Sequence, residues 1–269
     1  MVLDFTKMNG AGNDFVLIDN RAQQLKLANE QIVRLCDRHR GVGADGVILL
    51  IPCHSGKADW AWEFFNSDGS AGEMCGNGAR CFARFVQKLT GVERGFTFET
   101  QAGVITAQFE GERVTVNLTP PVDLRLNEEL ALAAGRLTVH SVNTGVPHAV
   151  LFVPNADQAM VMQLGPEIRR HVHFAPRGTN VNFVQVLGPG RIRVRTFERG
   201  VEGETLACGT GVTASALIAS RVHRFGSPVR VQVQGGDQLE VGFREANGGF
   251  TDVRLSGPAE FVFTGKFAA

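Results

Sequence analysis

Two cysteines stand at the head of matching glycine-bracketed turns, Met74-Cys75-Gly76-Asn77-Gly78-Ala79-Arg80 and Ala207-Cys208-Gly209-Thr210-Gly211-Val212-Thr213. Each turn leads into a stretch patterned as a helix. A thiol at a helix N-terminus feels the positive end of the macrodipole, which favours thiolate over thiol. The first-turn N–H groups, which lack partners inside the helix, suit an anion such as a carboxylate. One such turn points to a nucleophile. Two point to a pair of acid/base groups, one for each face of a substrate carbon.

By residue type alone, either cysteine is as readily a small core hydrophobe. The shared Cys-Gly-x-Gly context and the duplicated surroundings favour chemistry. Cys36, Cys53 and Cys81 lack that context and read as core residues. The spacing argues against a metal pair of Cys75 and Cys81. Six helical positions put two side chains about 240° apart, on different faces, and the five intervening residues match no ordinary zinc spacing.

Other candidates are weaker singly. His148 follows Pro147 and reads equally as a satisfied core histidine. Glu198-Arg199 ends an alternating apolar stretch just before Cys208, where a surface ion pair is the plain alternative. Asn13, Asn66 and Asn180 sit at strand or turn edges, where Asn is an ordinary turn residue. Together, amides, one Arg, one Glu and two thiols would suit a zwitterionic amino acid.

The elements that must hold these residues repeat. Gly103 lies 28 residues after Cys75, and Gly236 lies 28 after Cys208. Phe65-Asn66 and Phe197-Glu198 precede the two cysteines at nearly equal distance. Further upstream, Phe15 lies 60 residues before Cys75 and Ala149 lies 59 before Cys208, each in an apolar strand-like run. The period is far longer than that of a solenoid, so the chain reads as a duplicated α/β unit. A pseudo-two-fold pair would set the two helix starts facing each other across a cleft. Pro120-Pro121 breaks the pattern and marks the boundary.

In the first half, patterning predicts strands over 15–19, 47–51, 59–65, 95–100, 103–109 and 113–118, and helices over 30–39 and 75–89. In the second half it predicts strands over 138–143, 149–153, 182–187, 192–197, 229–234, 238–243, 251–255 and 260–263, and a helix over 208–223. Gly41-Val42-Gly43-Ala44-Asp45-Gly46 has the spacing of a dinucleotide fingerprint. That motif needs a strand before it and a helix after it. Here the order is reversed, so a tight helix-to-strand turn is expected.

Composition narrows the partners. The 269 residues carry 27 basic and 27 acidic side chains, which argues against nucleic acid or an anionic membrane as partner. No apolar run is long enough to span a bilayer. The N-terminal residues lack the pattern of a signal peptide. Five scattered cysteines do not form a secreted disulfide framework. A cytoplasmic protein is expected.

The motif blocks resemble those of the diaminopimelate epimerase family. Lys7-Met8-Asn9-Gly10-Ala11-Gly12-Asn13-Asp14-Phe15 is similar to its N-terminal block. Phe65-Asn66-Ser67-Asp68-Gly69-Ser70 and Met74 to Cys81 resemble its first cysteine block, and Glu198-Arg199-Gly200 with Thr205 to Gly211 its second. Asn77 after Cys75-Gly76, with Glu198-Arg199 before Cys208, separates the pattern from proline racemases.

The resemblance implies a fold of the α/β (α+β) class with two pseudo-symmetric domains. Each is a β-barrel-like sheet around a central helix, with the active site in the cleft between them. The last strand would return to the first domain, giving 1–120 plus 257–269 and 121–256. The activity implied is the interconversion of LL- and meso-diaminopimelate, on the route to lysine and peptidoglycan, with no cofactor and no metal. By motif position, Cys75 and Cys208 would be the two bases, supported by His148 and Glu198. Asn13, Asn66, Gly76, Asn77, Asn180, Glu198, Arg199, Gly209 and Thr210 would bind substrate, with Arg199 expected on its distal carboxylate. Gly46 and Val146 stand where some members carry Gln and Asn. Phe263 stands where some use a tyrosine at a dimer contact, and a homodimer is left open. The alternatives are a related racemase of proline, hydroxyproline or histidine, a thiol–disulfide protein, or a non-catalytic binding protein.

Overall fold

The computed structural model describes residues 1–246 and 248–268. The chain divides into two units, Met1–Asn117 with Gly257–Ala269, and Leu118–Ser256. In the first unit, β1 (Val2–Gly10), β2 (Asn13–Asp19), α1 (Asn29–Cys36), β3 (Gly46–Pro52), β4 (Trp60–Asn66), α2 (Gly76–Thr90), β5 (Gly95–Thr100), β6 (Gly103–Glu110) and β7 (Arg113–Asn117) follow in order. The final strand of the chain, β17 (Glu260–Ala268), pairs antiparallel with β1. The second unit runs β8 (Val122–Leu132), β9 (Gly135–Asn143), β10 (Pro147–Phe152), α3 (Val161–Arg169), β11 (Asn180–Gly188), β12 (Arg191–Glu198), β13 (Gly203–Thr205), α4 (Gly209–His223), β14 (Val229–Gln232), β15 (Gln238–Ala246) and β16 (Gly249–Pro258).

The duplication is visible in strand pairing. In unit 1, β2–β3 and β4–β5 are parallel, and the remaining steps along β17-β1-β2-β3-β4-β5-β6-β7 are antiparallel. In unit 2, β10–β11 and β12–β14 are parallel, and the remaining steps along β8-β9-β10-β11-β12-β14-β15-β16 are antiparallel. Parallel neighbours cannot be joined by a hairpin and need a crossover, usually a helix. Among the described residues, four α-helices occupy those four crossovers: α1 and α2 in unit 1, α3 and α4 in unit 2.

The second helix of each unit is its centre. Residues 76–83 of α2 are buried, and the helix packs against β1, β2, β3 and β7. Trp62, Phe82 and Phe98 close one side, with ring centroids 4.7–5.7 Å apart. In α4, residues 211–220 are all buried, and the helix packs against β9, β10, β11, β12, β14 and β15. A helix buried on every face, as α4 is over residues 211–220, must be surrounded by the strands it packs on.

Four local features differ from the sequence reading. α1 stops at Cys36 and not at residue 39, because Asp37 leaves helical geometry and its Oδ1 accepts from the N–H groups of His39 (2.7 Å) and Arg40 (2.9 Å). β1 shows no alternation because Phe5, Thr6, Lys7 and Met8 are all buried. β8 is mostly exposed and shifts register, with left-handed backbone at Asp123 and Asn127. α3 carries Gly165-Pro166 inside it, which masked its helical pattern. Of the cysteines read as core, Cys36 and Cys81 are buried, and burial pushes both thiols up to about 12. Cys53 is only half-buried and hydrogen-bonds to Glu99 Oε2 at 3.4 Å, so it is not a core residue.

Candidate active site

Each motif cysteine is the N-cap of its unit's central helix. Cys75 has extended backbone (φ −141°, ψ 117°), and its Sγ accepts from the Gly78 N–H at 3.4 Å. Cys208 has the same backbone form (φ −121°, ψ 108°). Its Sγ lies 3.5 Å from Thr210 Oγ1. Both sulfurs therefore stand at a helix N-terminus, where negative charge is favoured.

In unit 1 the surroundings of Cys75 are an ordered chain of amides and charges. Asn77 Nδ2 donates to Asn13 Oδ1 at 3.1 Å, and Asn13 Nδ2 donates to Asp45 Oδ2. Asn77 Oδ1 accepts from Arg80 Nη2 at 3.0 Å. The buried Arg80 also donates to the carbonyls of Gly76 and Pro258, both at 3.2 Å. Asp45 is held by Arg38 at 2.8 Å, and Arg38 grips Asp14 with both Nη atoms. The buried Lys7 ammonium lies 2.8 Å from Asp14 and donates to the Gly43 carbonyl. Burial opposes the charge on Asp14, but Arg38 and Lys7 outweigh it and hold its pKa at about 2. Asn66, more exposed, donates to Ser70 Oγ at 3.0 Å and caps the turn before Cys75.

In unit 2 the buried His148 places Nε2 2.9 Å from Thr210 Oγ1 and Nδ1 3.2 Å from Asn182 Nδ2. Burial, reinforced by the Arg199 charge, lowers its pKa to about 3, so the ring is neutral near pH 7. Asn180 uses both ends of its amide on backbone: Oδ1 accepts from Arg199 N at 2.8 Å, and Nδ2 donates to Pro147 O at 3.2 Å. Arg199 Nη1 donates to Arg177 O at 3.2 Å. Burial first, then the charges of Arg169 and Arg177, lower the Arg199 pKa. A guanidinium crowded by like charge gains most from an incoming carboxylate. Glu198 Oε2 accepts from Thr205 Oγ1 at 2.9 Å.

A family model described as diaminopimelate epimerase matches residues 5–124 and 140–259. The chain belongs to the diaminopimelate epimerase family. A diaminopimelate epimerase of Aquifex aeolicus (strain VF5) is 44% identical over 281 residues, covering 99% of this chain and 98% of that protein. One of Chlorobaculum tepidum is 43% identical over 263 residues, covering 96% of this chain and 98% of that protein. Among solved structures, a PhzF-family phenazine biosynthesis protein of Bacillus anthracis matches with a TM-score of 0.77 at 15% identity, with all of both chains covered. A probable proline racemase of Agrobacterium radiobacter K84 matches with a TM-score of 0.73 at 20% identity, covering 99% of this chain and 93% of that one. These two likenesses establish the fold.

Within that family pattern, the structure accounts for Gly46. A Cβ there would stand 2.6 Å from the Phe65 carbonyl oxygen and 2.8 Å from the Phe64 ring. No side chain fits, and Phe64 fills the space. Several site neighbours escaped the sequence reading: Asp45, Arg38 and Arg80 in unit 1, Asn182 and Thr196 in unit 2. Asn182 had one available signal. It lies two residues after Asn180, so a strand puts both on one face.

Proposed function

We propose that the chain interconverts LL- and meso-2,6-diaminopimelate, with Cys75 and Cys208 as the two acid/base groups acting on opposite faces of one carbon. The observation that carries this reading is the equivalent placement of the two thiols, each capping the central helix of one of two matching units. Membership of the diaminopimelate epimerase family supports the substrate. The chain is thus an isomerase of a small amino acid.

The chemistry follows from the caps. One cysteine is thiolate and takes the α-proton; the other is thiol and delivers a proton to the opposite face. The roles exchange in the reverse direction. An amino-acid α-proton is weakly acidic, so the developing carbanion needs electrostatic stabilisation at the α-carboxylate. The first-turn N–H groups of α2 and α4, at Gly76, Asn77, Gly209 and Thr210, are the donors assigned to that task. A preorganised donor of this kind typically contributes on the order of 10²–10³ in rate. Arg199 takes the distal carboxylate, helped by Asn66 and Asn180, and Glu198 takes the ammonium end. Asn13 completes the unit 1 side. His148 and Glu198 tune the cysteines.

No helix among the described residues is long and apolar enough to cross a membrane. We place the chain in the cytoplasm, where its thiols stay reduced. We propose, as an open part of this reading, a homodimer through β17, whose Phe261, Val262 and Phe263 are 40–56% exposed. The function is tested by proton NMR in D₂O with LL-diaminopimelate, proline, hydroxyproline and histidine. Loss of the α-proton signal from diaminopimelate alone is expected. Exchange of proline or histidine in its place overturns the substrate.

A further inference from the structure

The two units treat the ground beneath their cysteine turns differently. β2 and β3 pair Phe15 with Gly46, and β10 and β11 pair His148 with Asn180. His148 lies 60 residues before Cys208, as Phe15 lies 60 before Cys75, so the duplication equates Phe15 with His148 and not with Ala149. Two residues beyond the paired partners stand Ile48 and Asn182. A Cβ on Gly78 would meet Ile48 Cδ1 at 3.2 Å and the Phe15 ring at 3.4 Å. A Cβ on Gly211 would overlap Asn182 Oδ1 and meet His148 Cε1 at 3.3 Å. One location is therefore apolar in unit 1 and polar in unit 2. Asn182 is 0% exposed and His148 1%. The fold is content with Phe and Ile there, and a buried polar pair gains nothing over them in packing. Its role lies elsewhere.

The hydrogen bonds around Asn182 have one consistent direction. Thr196 Oγ1 donates to Asn182 Oδ1 at 3.0 Å, and Asn182 Nδ2 donates to Ala149 O at 3.0 Å. A flipped amide would set its oxygen against the Ala149 carbonyl, so Nδ2 is the atom that meets His148 Nδ1. Nδ1 is thus an acceptor, and a neutral ring carries its proton on Nε2. Nε2–H donates to Thr210 Oγ1. The Thr210 hydroxyl proton is then left to point at Cys208 Sγ.

We propose that Asn182 is a positioning residue that fixes the Nε2–H tautomer of His148, so that a one-way chain of donors runs from Asn182 through His148 and Thr210 and ends on the Cys208 sulfur, stabilising its thiolate. This deepens the two-base reading and rests on it. No proton changes owner in the chain; each stays on its donor. Arg199 is the charge that bears on His148, and it too favours the neutral ring. In unit 1 the side chains of Phe15 and Ile48, which donate no hydrogen bond, stand in the places of His148 and Asn182, so the two thiols are set in different surroundings.

Two measurements on the full chain test this. Long-range ¹H–¹⁵N NMR between pH 6 and 8 reads the His148 tautomer, assigned by its absence in His148→Phe. The neutral Nε2–H form is expected; an Nδ1–H form or an imidazolium overturns the proposal. The second measurement is the iodoacetamide rate at Cys208 and Cys75, resolved by peptide mass spectrometry. Asn182→Ile, which copies the residue in unit 1, and Thr210→Val should each slow Cys208 about tenfold and leave Cys75 within about twofold. Acting in series, they should be non-additive in the double variant. Additive losses, or a wild-type Cys208 rate in either single variant, overturn it. Should Asn182→Ile fail to fold, the wild-type tautomer and Thr210→Val still decide. Diaminopimelate exchange by the wild-type chain, followed in parallel, separates failure of this chain of donors from failure of the epimerase reading.

Discussion

Asn13 and Asn77 are joined by their side chains: Asn77 Nδ2 donates to Asn13 Oδ1 at 3.1 Å. Both amides are oriented by ions on their far sides, Asn13 by the Asp45 carboxylate and Asn77 by the Arg80 guanidinium. The Cys75 turn thus inherits its geometry from a charge cluster that reaches the surface at Arg38. Asp45→Ala removes the acceptor for Asn13 Nδ2. A hydrogen bond to a charged group contributes about 1.5–3 kcal/mol, so kcat/KM for diaminopimelate should fall roughly ten- to hundred-fold. Steady-state kinetics check this, and a change below threefold would detach Asp45 from the site.

His148 ties stability to pH. Its folded pKa, about 3, lies below the ordinary 6.5, so between those values the unfolded chain binds a proton that the folded chain refuses. Stability is fully present above pH 6.5 and is lost as pH falls toward 3. Asp14, depressed from 3.8 to about 2, adds a further loss between those values. Urea unfolding from pH 7.5 to 4 should show ΔG falling by on the order of a few kcal/mol. In His148→Gln the slope should flatten; an unchanged slope would acquit His148.

Gly46 should tolerate nothing larger. Gly46→Gln would drive its Cβ against the Phe65 carbonyl and the Phe64 ring. Overpacking of this kind typically costs about 1–3 kcal/mol. Denaturant melts should show at least that loss. A variant as stable as wild type would mean that Phe64 moves aside readily.

The central helices were legible from the Cys-Gly-x-Gly turns, because capping and glycine chemistry are local. The parallel crossovers of unit 2 were half legible: α4 was visible, while α3 hid behind Gly165-Pro166. β1 was hidden by burial on both faces and β8 by exposure of most of its residues. At the site, Cys75 and Cys208 announce themselves by repetition. Asn182 does not, since its meaning depends on a cross-strand neighbour 34 residues away in sequence. Asp45 reads in sequence only as part of a turn, because its partner Asn13 comes from β2, 32 residues away.

Arg199 carries the prediction on specificity. Lysine keeps the charge but not the planar fork that holds a carboxylate by two parallel bonds. Arg199→Lys should reduce kcat/KM for diaminopimelate by about tenfold or more, and by less for any short amino acid exchanged weakly. A loss within a few-fold for diaminopimelate would move recognition of the distal carboxylate to other residues.

The two-base claim is tested most directly by the α-proton NMR signal of LL-diaminopimelate in D₂O, followed with Cys75→Ala and Cys208→Ala beside the wild type. Each substitution removes the acid or base on one face while leaving a small side chain at a helix cap. The account predicts that both variants fold, with circular dichroism like that of the wild type, and that neither forms the meso isomer. Formation of meso-diaminopimelate at near the wild-type rate by either variant would contradict it.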